Sequence, residues 1–83
     1  MEQKQAVEPM PIGLILRRLR EQKRMTRDNL ADKCGMSRFG LANIERGKAS
    51  PTMRSVFKIL DEVGGEMSIN GIVVCSLLSS KIE

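Results

Sequence analysis

The stretch from Thr26 to Arg46, TRDNLADKCGMSRFGLANIER, decides how the rest of the chain is read. Thr26 is a hydroxyl residue placed to cap free backbone N–H groups, and Leu30, Ala31 and Cys34 then fall on one helical face. Gly35 stops that helix, because glycine enters the left-handed region without a Cβ clash and turns the chain within two residues. Ser37 can cap a further helix running to about Arg46, with Leu41 and Ile44 inward and Gly47 as its stop. Two helices crossing steeply need a small residue where they touch, which Ala31 supplies. They also need apolar anchors, which Leu30, Cys34, Met36, Leu41 and Ile44 supply. The spacing leaves Arg38, Phe39, Ala42, Asn43 and Arg46 as a free face.

Upstream, Ile12, Leu16 and Leu19, with Ile15 beside them, make the apolar stripe of a helix that starts at Pro11 and ends near Lys23. Downstream, Lys48 to Pro51 is a loop, and Thr52 can cap a fourth helix with Met53, Val56, Ile59 or Leu60, and Val63 inward. Gly64-Gly65 ends it. Met67 to Val74 alternates and then becomes β-branched around Asn70-Gly71, a hairpin signal. The expected organisation is a flexible arm over residues 1–10, a helix-turn-helix unit over 11–64, and a β-segment with tail over 65–83. Met10, Met36 and Met53 read as core filler, as does Cys34.

A chain of 83 residues makes one domain with a small core. Two cysteines and no histidine offer neither a disulfide framework nor a zinc site, so no cofactor or metal is expected. No apolar run is long enough to span a bilayer, and the charged start from Met1 to Glu8 is unlike a signal peptide. The expectation is a cytoplasmic protein without a membrane partner. The pI is about 9.5 and the net charge +4, and twelve of the fourteen Lys and Arg lie between Arg17 and Lys58. That suits a polyanion. Phe39 and Phe57 are the only aromatics, too few for the stacking that single-stranded nucleic acid requires. Without histidine or a recognisable set of catalytic groups, no enzyme is expected.

The motifs Leu19-Arg20-Glu21, Thr26 before Leu30-Ala31, Gly35-Met36-Ser37-Arg38, Ile44-Glu45-Arg46-Gly47 and Ser50-Pro51 together resemble the Cro/Xre-type helix-turn-helix proteins of phage repressors and bacterial regulators. The resemblance covers about Ile12 to Val63. It implies a mostly α, four- to five-helix, lambda-repressor-like DNA-binding domain with a short C-terminal β-segment. That segment, 67–74, either covers the helices as a hairpin or pairs with its twin across a two-fold axis at a dimer interface, and the second is expected because a two-stranded hairpin alone is marginal and the core is small. The resemblance also implies that helix 37–46 enters the major groove, with Arg38, Phe39 and Asn43 at base edges and Arg27 and Ser37 near phosphates. Arg20 is implied to pair with Glu45. Two positions depart from the family pattern: Arg27 stands where Gln is usual, and Gly40 stands where Ser or Thr is commoner, weakening the helix by up to roughly 1 kcal/mol relative to Ala.

Arg38 can offer a fork to guanine O6 and N7, and Asn43 can pair with adenine N6 and N7. Phe39 meets a thymine methyl, folds back on its helix or, if exposed away from DNA, makes a dimer contact. Arg27, Arg46 and Lys48 flank the face as phosphate neutralisers, whereas Arg17, Arg18, Lys23 and Arg24 read as a solvated face. The expected function is a homodimeric repressor on double-stranded DNA, whose inverted-repeat operator has half-sites about 34 Å apart. Within that class the β-segment resembles that of HipB-like antitoxins, which repress their own operon and bind a toxin kinase. The alternative is a protein-binding antitoxin or adaptor whose helix-turn-helix is vestigial.

Overall fold

In the computed structural model, which describes residues 10–74, three hydroxyl side chains set where three of the four helices begin. In chain order the elements are α1 (Ile12–Gln22), α2 (Arg27–Cys34), α3 (Arg38–Glu45), α4 (Met53–Val63), β1 (Met67–Ile69) and β2 (Ile72–Val74). Thr26 Oγ1 accepts from the Asn29 N–H at 3.0 Å, Ser37 Oγ from the Gly40 N–H at 2.9 Å, and Thr52 Oγ1 from the Ser55 N–H at 3.1 Å. Each bond satisfies a backbone donor that the helix itself leaves without an acceptor. α2 and α4 stop at Gly35 and Gly64, whose φ of 69° and 72° are left-handed. After α1 the same region is occupied by Arg24, φ 59°, where the absence of glycine carries a steric cost.

Every helix contributes to the core. Leu16, Leu30, Leu41, Val56 and Ile59 are fully buried, joined by Ala31, Cys34, Ile44, Leu60 and Val63. On α4 the buried residues fall at Val56, Ile59, Leu60 and Val63, so both members of the Ile59/Leu60 alternative point inward. Met53 does not. It is 55% exposed, because it sits in the first turn of α4, a turn ahead of Val56 and beyond the edge of the core. Ala42, expected on the free face, is buried, its side chain of one methyl being small enough to be covered. Burial also pushes the Cys34 thiol above its ordinary pKa, Glu62 adding to the shift and Lys58 opposing it.

Where α1 meets α3 the approach is backbone on side-chain-free backbone. A Cβ on Gly13 would stand 1.7 Å from the Ile44 carbonyl oxygen, so only glycine admits this contact.

The strands form an antiparallel hairpin with Met67 opposite Val74, Ser68 opposite Val73 and Ile69 opposite Ile72. Asn70 and Gly71 both have positive φ, 50° and 83°, as a two-residue primed turn demands. Alternation puts Met67, Ile69, Ile72 and Val74 on one face. Met67 packs against the core cluster, whereas Ile69 and Ile72 are 60% and 71% exposed, so the hairpin overhangs the helices. A groove of about 350 Å³ opens between α1, α4 and β1, lined by Ile12, Ile15, Leu19, Leu60 and Met67 among others. The expected arm, apart from Met10, and the tail with Cys75 lie outside the described residues.

Candidate nucleic-acid interface

α3 is anchored by charge as well as by apolar contact. Arg20 of α1 donates from Nε to Glu45 Oε2 at 2.7 Å and from Nη2 to Oε1 at 3.1 Å, a bidentate pair. Its Nη1 donates to the Met25 carbonyl at 2.8 Å, which holds the turn between α1 and α2. Arg27, the first residue of α2, donates from Nε to the same Glu45 Oε1 at 3.0 Å. Glu45 is only 1% exposed, so a carboxylate at the end of α3 binds α1 and α2 at once. The sequence pointed to the Arg20 contact through its family resemblance. It did not reveal that Arg27 joins, since that meeting depends on how α2 and α3 cross to bring together two residues 18 apart in sequence.

Around this clamp the side chains expected at the interface take distinct positions. Arg38, Phe39, Arg46 and Lys48 are exposed, Phe39 at 74%, while Asn43 and Arg27 are half-buried. Residues 39, 43 and 46 follow helical spacing along one side of α3. The Asn43 carbonyl accepts from the backbone N–H groups of Lys48 and Ala49 at 2.8 and 3.2 Å, which folds the following loop back and sets Lys48 beside the end of α3. Ser37 accepts from Gly40 as the helix cap, and its own hydroxyl proton remains able to donate outward. Phe39 is exposed rather than folded back on its helix. One further side chain belongs to this surface and was missed in the sequence: Asp28 of α2 accepts from Arg38 Nη1 at 3.2 Å.

Such a surface can bind anions through Arg46, Lys48 and the outer edge of Arg27, and can present hydrogen-bonding side chains in a groove. Two capped helices joined by the turn Gly35-Met36-Ser37, the second carrying exposed cations, define a helix-turn-helix DNA-binding regulator fold. The helix-turn-helix family model matches residues 16–68, and the chain belongs to that family, of Cro/C1 type.

Among solved structures, the clp gene regulator ClgR from C. glutamicum is similar at 26% identity, with 74% of this chain and 82% of that one covered and a TM-score of 0.65. A mutant of the restriction-modification controller protein C.Esp1396I is similar at 25% identity over 66% of this chain and 71% of that one, TM-score 0.63. A structure titled MDT Protein shares the fold at 23% identity, covering 90% of this chain and 99% of that one, TM-score 0.62. No curated protein sequence matches the chain. Among the described residues no helix is long and apolar enough to cross a membrane.

Proposed function

We propose that this chain is a homodimeric transcriptional repressor that lays α3 in the major groove of an inverted-repeat operator, one copy per half-site. The observation that carries the reading is the combination of a rigidly held α3 with an exposed polar face: Glu45 is buried against two arginines while Arg38, Phe39 and Arg46 face outward. Arg38 and Asn43 read base edges, Phe39 meets a thymine methyl, and Arg27, Ser37, Arg46 and Lys48 hold phosphates. Protein of this kind works in the cytoplasm, on the nucleoid. The overhanging apolar residues Ile69 and Ile72, with Val73 at 56% exposure, support a hairpin that pairs with its twin across a two-fold axis.

Selection from a random duplex library tests this. The expected outcome is an inverted repeat with half-site centres about 34 Å apart, one helical turn. Absence of any enriched sequence at low salt overturns it. Ile72→Lys should convert the dimer to monomer in sedimentation and weaken operator binding, and a dimer that persists moves the interface elsewhere.

The same exposed hairpin also favours a second reading, in which the repressor is the antitoxin of its operon and the apolar strands take part in holding a toxin. The downstream reading frame discriminates: a kinase-like product that co-purifies with this chain supports the antitoxin role, and a neighbour without affinity for it removes that role.

A further inference from the structure

Asp28 is the second residue of α2 and Arg38 the first of α3, and their side chains meet outside the core at 3.2 Å. Both are well exposed, 63% and 71%, and exposed ion pairs contribute little to folding. Stability therefore does not account for the pair. Helix electrostatics do not account for Arg38 either: the start of a helix favours anions, so Asp28 is well placed on α2 while Arg38 is poorly placed on α3. What the pair does achieve is geometric. A guanidinium has five N–H donors in one plane, and donating one from Nη1 to Asp28 biases that plane toward one orientation while leaving the other edge open. An open edge offering two parallel donors is the shape that matches guanine O6 and N7.

We propose that Asp28 is a positioning residue for base reading, which turns Arg38 from a general phosphate anchor into a guanine reader. This rests on the DNA-binding function proposed above. Two effects act together. The bond to Asp28 biases the fork toward one orientation, so less side-chain freedom is lost when a guanine is met. The carboxylate also neutralises Arg38 locally and repels phosphate oxygens, so Arg38 gains less from indiscriminate backbone contact. Removing Asp28 should then strengthen binding to any DNA and weaken the choice of base.

The test uses the full chain, its selected duplex, the same duplex substituted at each position in turn, and a random-sequence duplex, all at one salt concentration. The position read by Arg38 is the one whose discrimination Arg38→Ala abolishes. Asp28→Ala should lower discrimination at that position by about tenfold, leave the other positions unchanged, and tighten binding to the random duplex a few-fold. In an Arg38→Ala background, Asp28→Ala should change discrimination nowhere. Asp28→Asn, which keeps an oxygen acceptor, should retain part of the base preference. Thermal melting should fall by no more than about 8 °C in any of the four variants, the size expected for losing the Asp28 charge from the start of α2. Unchanged discrimination in Asp28→Ala, an equal loss at every position, or the same loss without Arg38 overturns the proposal. Failure of the wild-type chain to select any duplex instead removes the DNA-binding reading, and this inference with it.

Discussion

Replacing Gly13 by alanine should break the contact that sets α3 against α1. The added Cβ would lie 1.7 Å from the Ile44 carbonyl oxygen and 2.8 Å from the Ile44 carbonyl carbon. Ordinary contact is about 3.5 Å, so the two helices must part by roughly half that distance. Neither side can yield by a rotamer change, since the obstacle is backbone. Overpacking typically costs about 1–3 kcal/mol, and a rigid obstacle belongs at the upper end. Parting α1 from α3 also loosens the Arg20–Glu45 pair, which spans the same two helices. Against this, alanine gains roughly 0.5–1 kcal/mol over glycine inside a helix. The net loss should be about 2–2.5 kcal/mol, from a total of roughly 4–12 kcal/mol for a chain of this size. At about 4–8 °C per kcal/mol, the melting temperature should fall by at least about 8 °C in calorimetry. Gly40→Ala is the internal comparison: there a Cβ meets only the Ser37 hydroxyl, at 3.0 Å, a side-chain atom that can shift at some cost to the cap, so this cost and the helix gain should offset to within about 1 kcal/mol. A Gly13→Ala protein that melts within about 3 °C of the parent would show the helices free to slide apart.

Glu45→Ala should cost about 3–5 kcal/mol, because Arg20 is left buried without its carboxylate, and urea denaturation should show the midpoint collapse; a loss under 1 kcal/mol would mean water replaces Glu45 at no cost. On the proposed operator, Asn43→Ala should lose about 1–3 kcal/mol and relax choice at one base pair, read by competition binding. Unchanged discrimination would remove Asn43 from the base-reading set. Lys48→Ala should weaken binding to all duplexes alike and reduce the magnitude of the logarithmic salt slope by about one, and an unaltered slope would place Lys48 off the backbone.

The features legible in the sequence are those settled within a few residues. Thr26, Ser37 and Thr52 cap because a hydroxyl reaches the N–H three residues on; Gly35 and Gly64 stop helices by their own φ; Asn70-Gly71 turns the hairpin by its own backbone. What remained illegible depends on how separate helices cross. Ala42 looked free because periodicity cannot say how wide a neighbour's footprint is, and Met53 looked buried because periodicity cannot say where the core ends. The close approach at Gly13 has no local signal, since a glycine in a helical stripe looks the same whether or not a carbonyl faces it. The candidate surface divides the same way. The exposure of Arg38 and Arg46 follows from helix phase and that of Lys48 from its place in the loop after α3, but the attachment of Arg27 to Glu45 and of Asp28 to Arg38 needed the crossing of α2 and α3 to be known.

The bond between Arg20 and Glu45 closes a ring of chain around the entire motif: residues 21–44 lie between its two ends, including all of α2 and nearly all of α3. What holds the ring shut is therefore separate from what the ring displays. Exposed side chains away from structural features usually change stability by no more than about 0.5 kcal/mol when substituted. Arg38, Phe39 and Lys48 can vary at little risk to folding, while Arg20, Glu45 and Gly13 cannot. A scaffold so divided is free to drift toward new operators one side chain at a time, and the same division marks which positions a designer should randomise to retarget it.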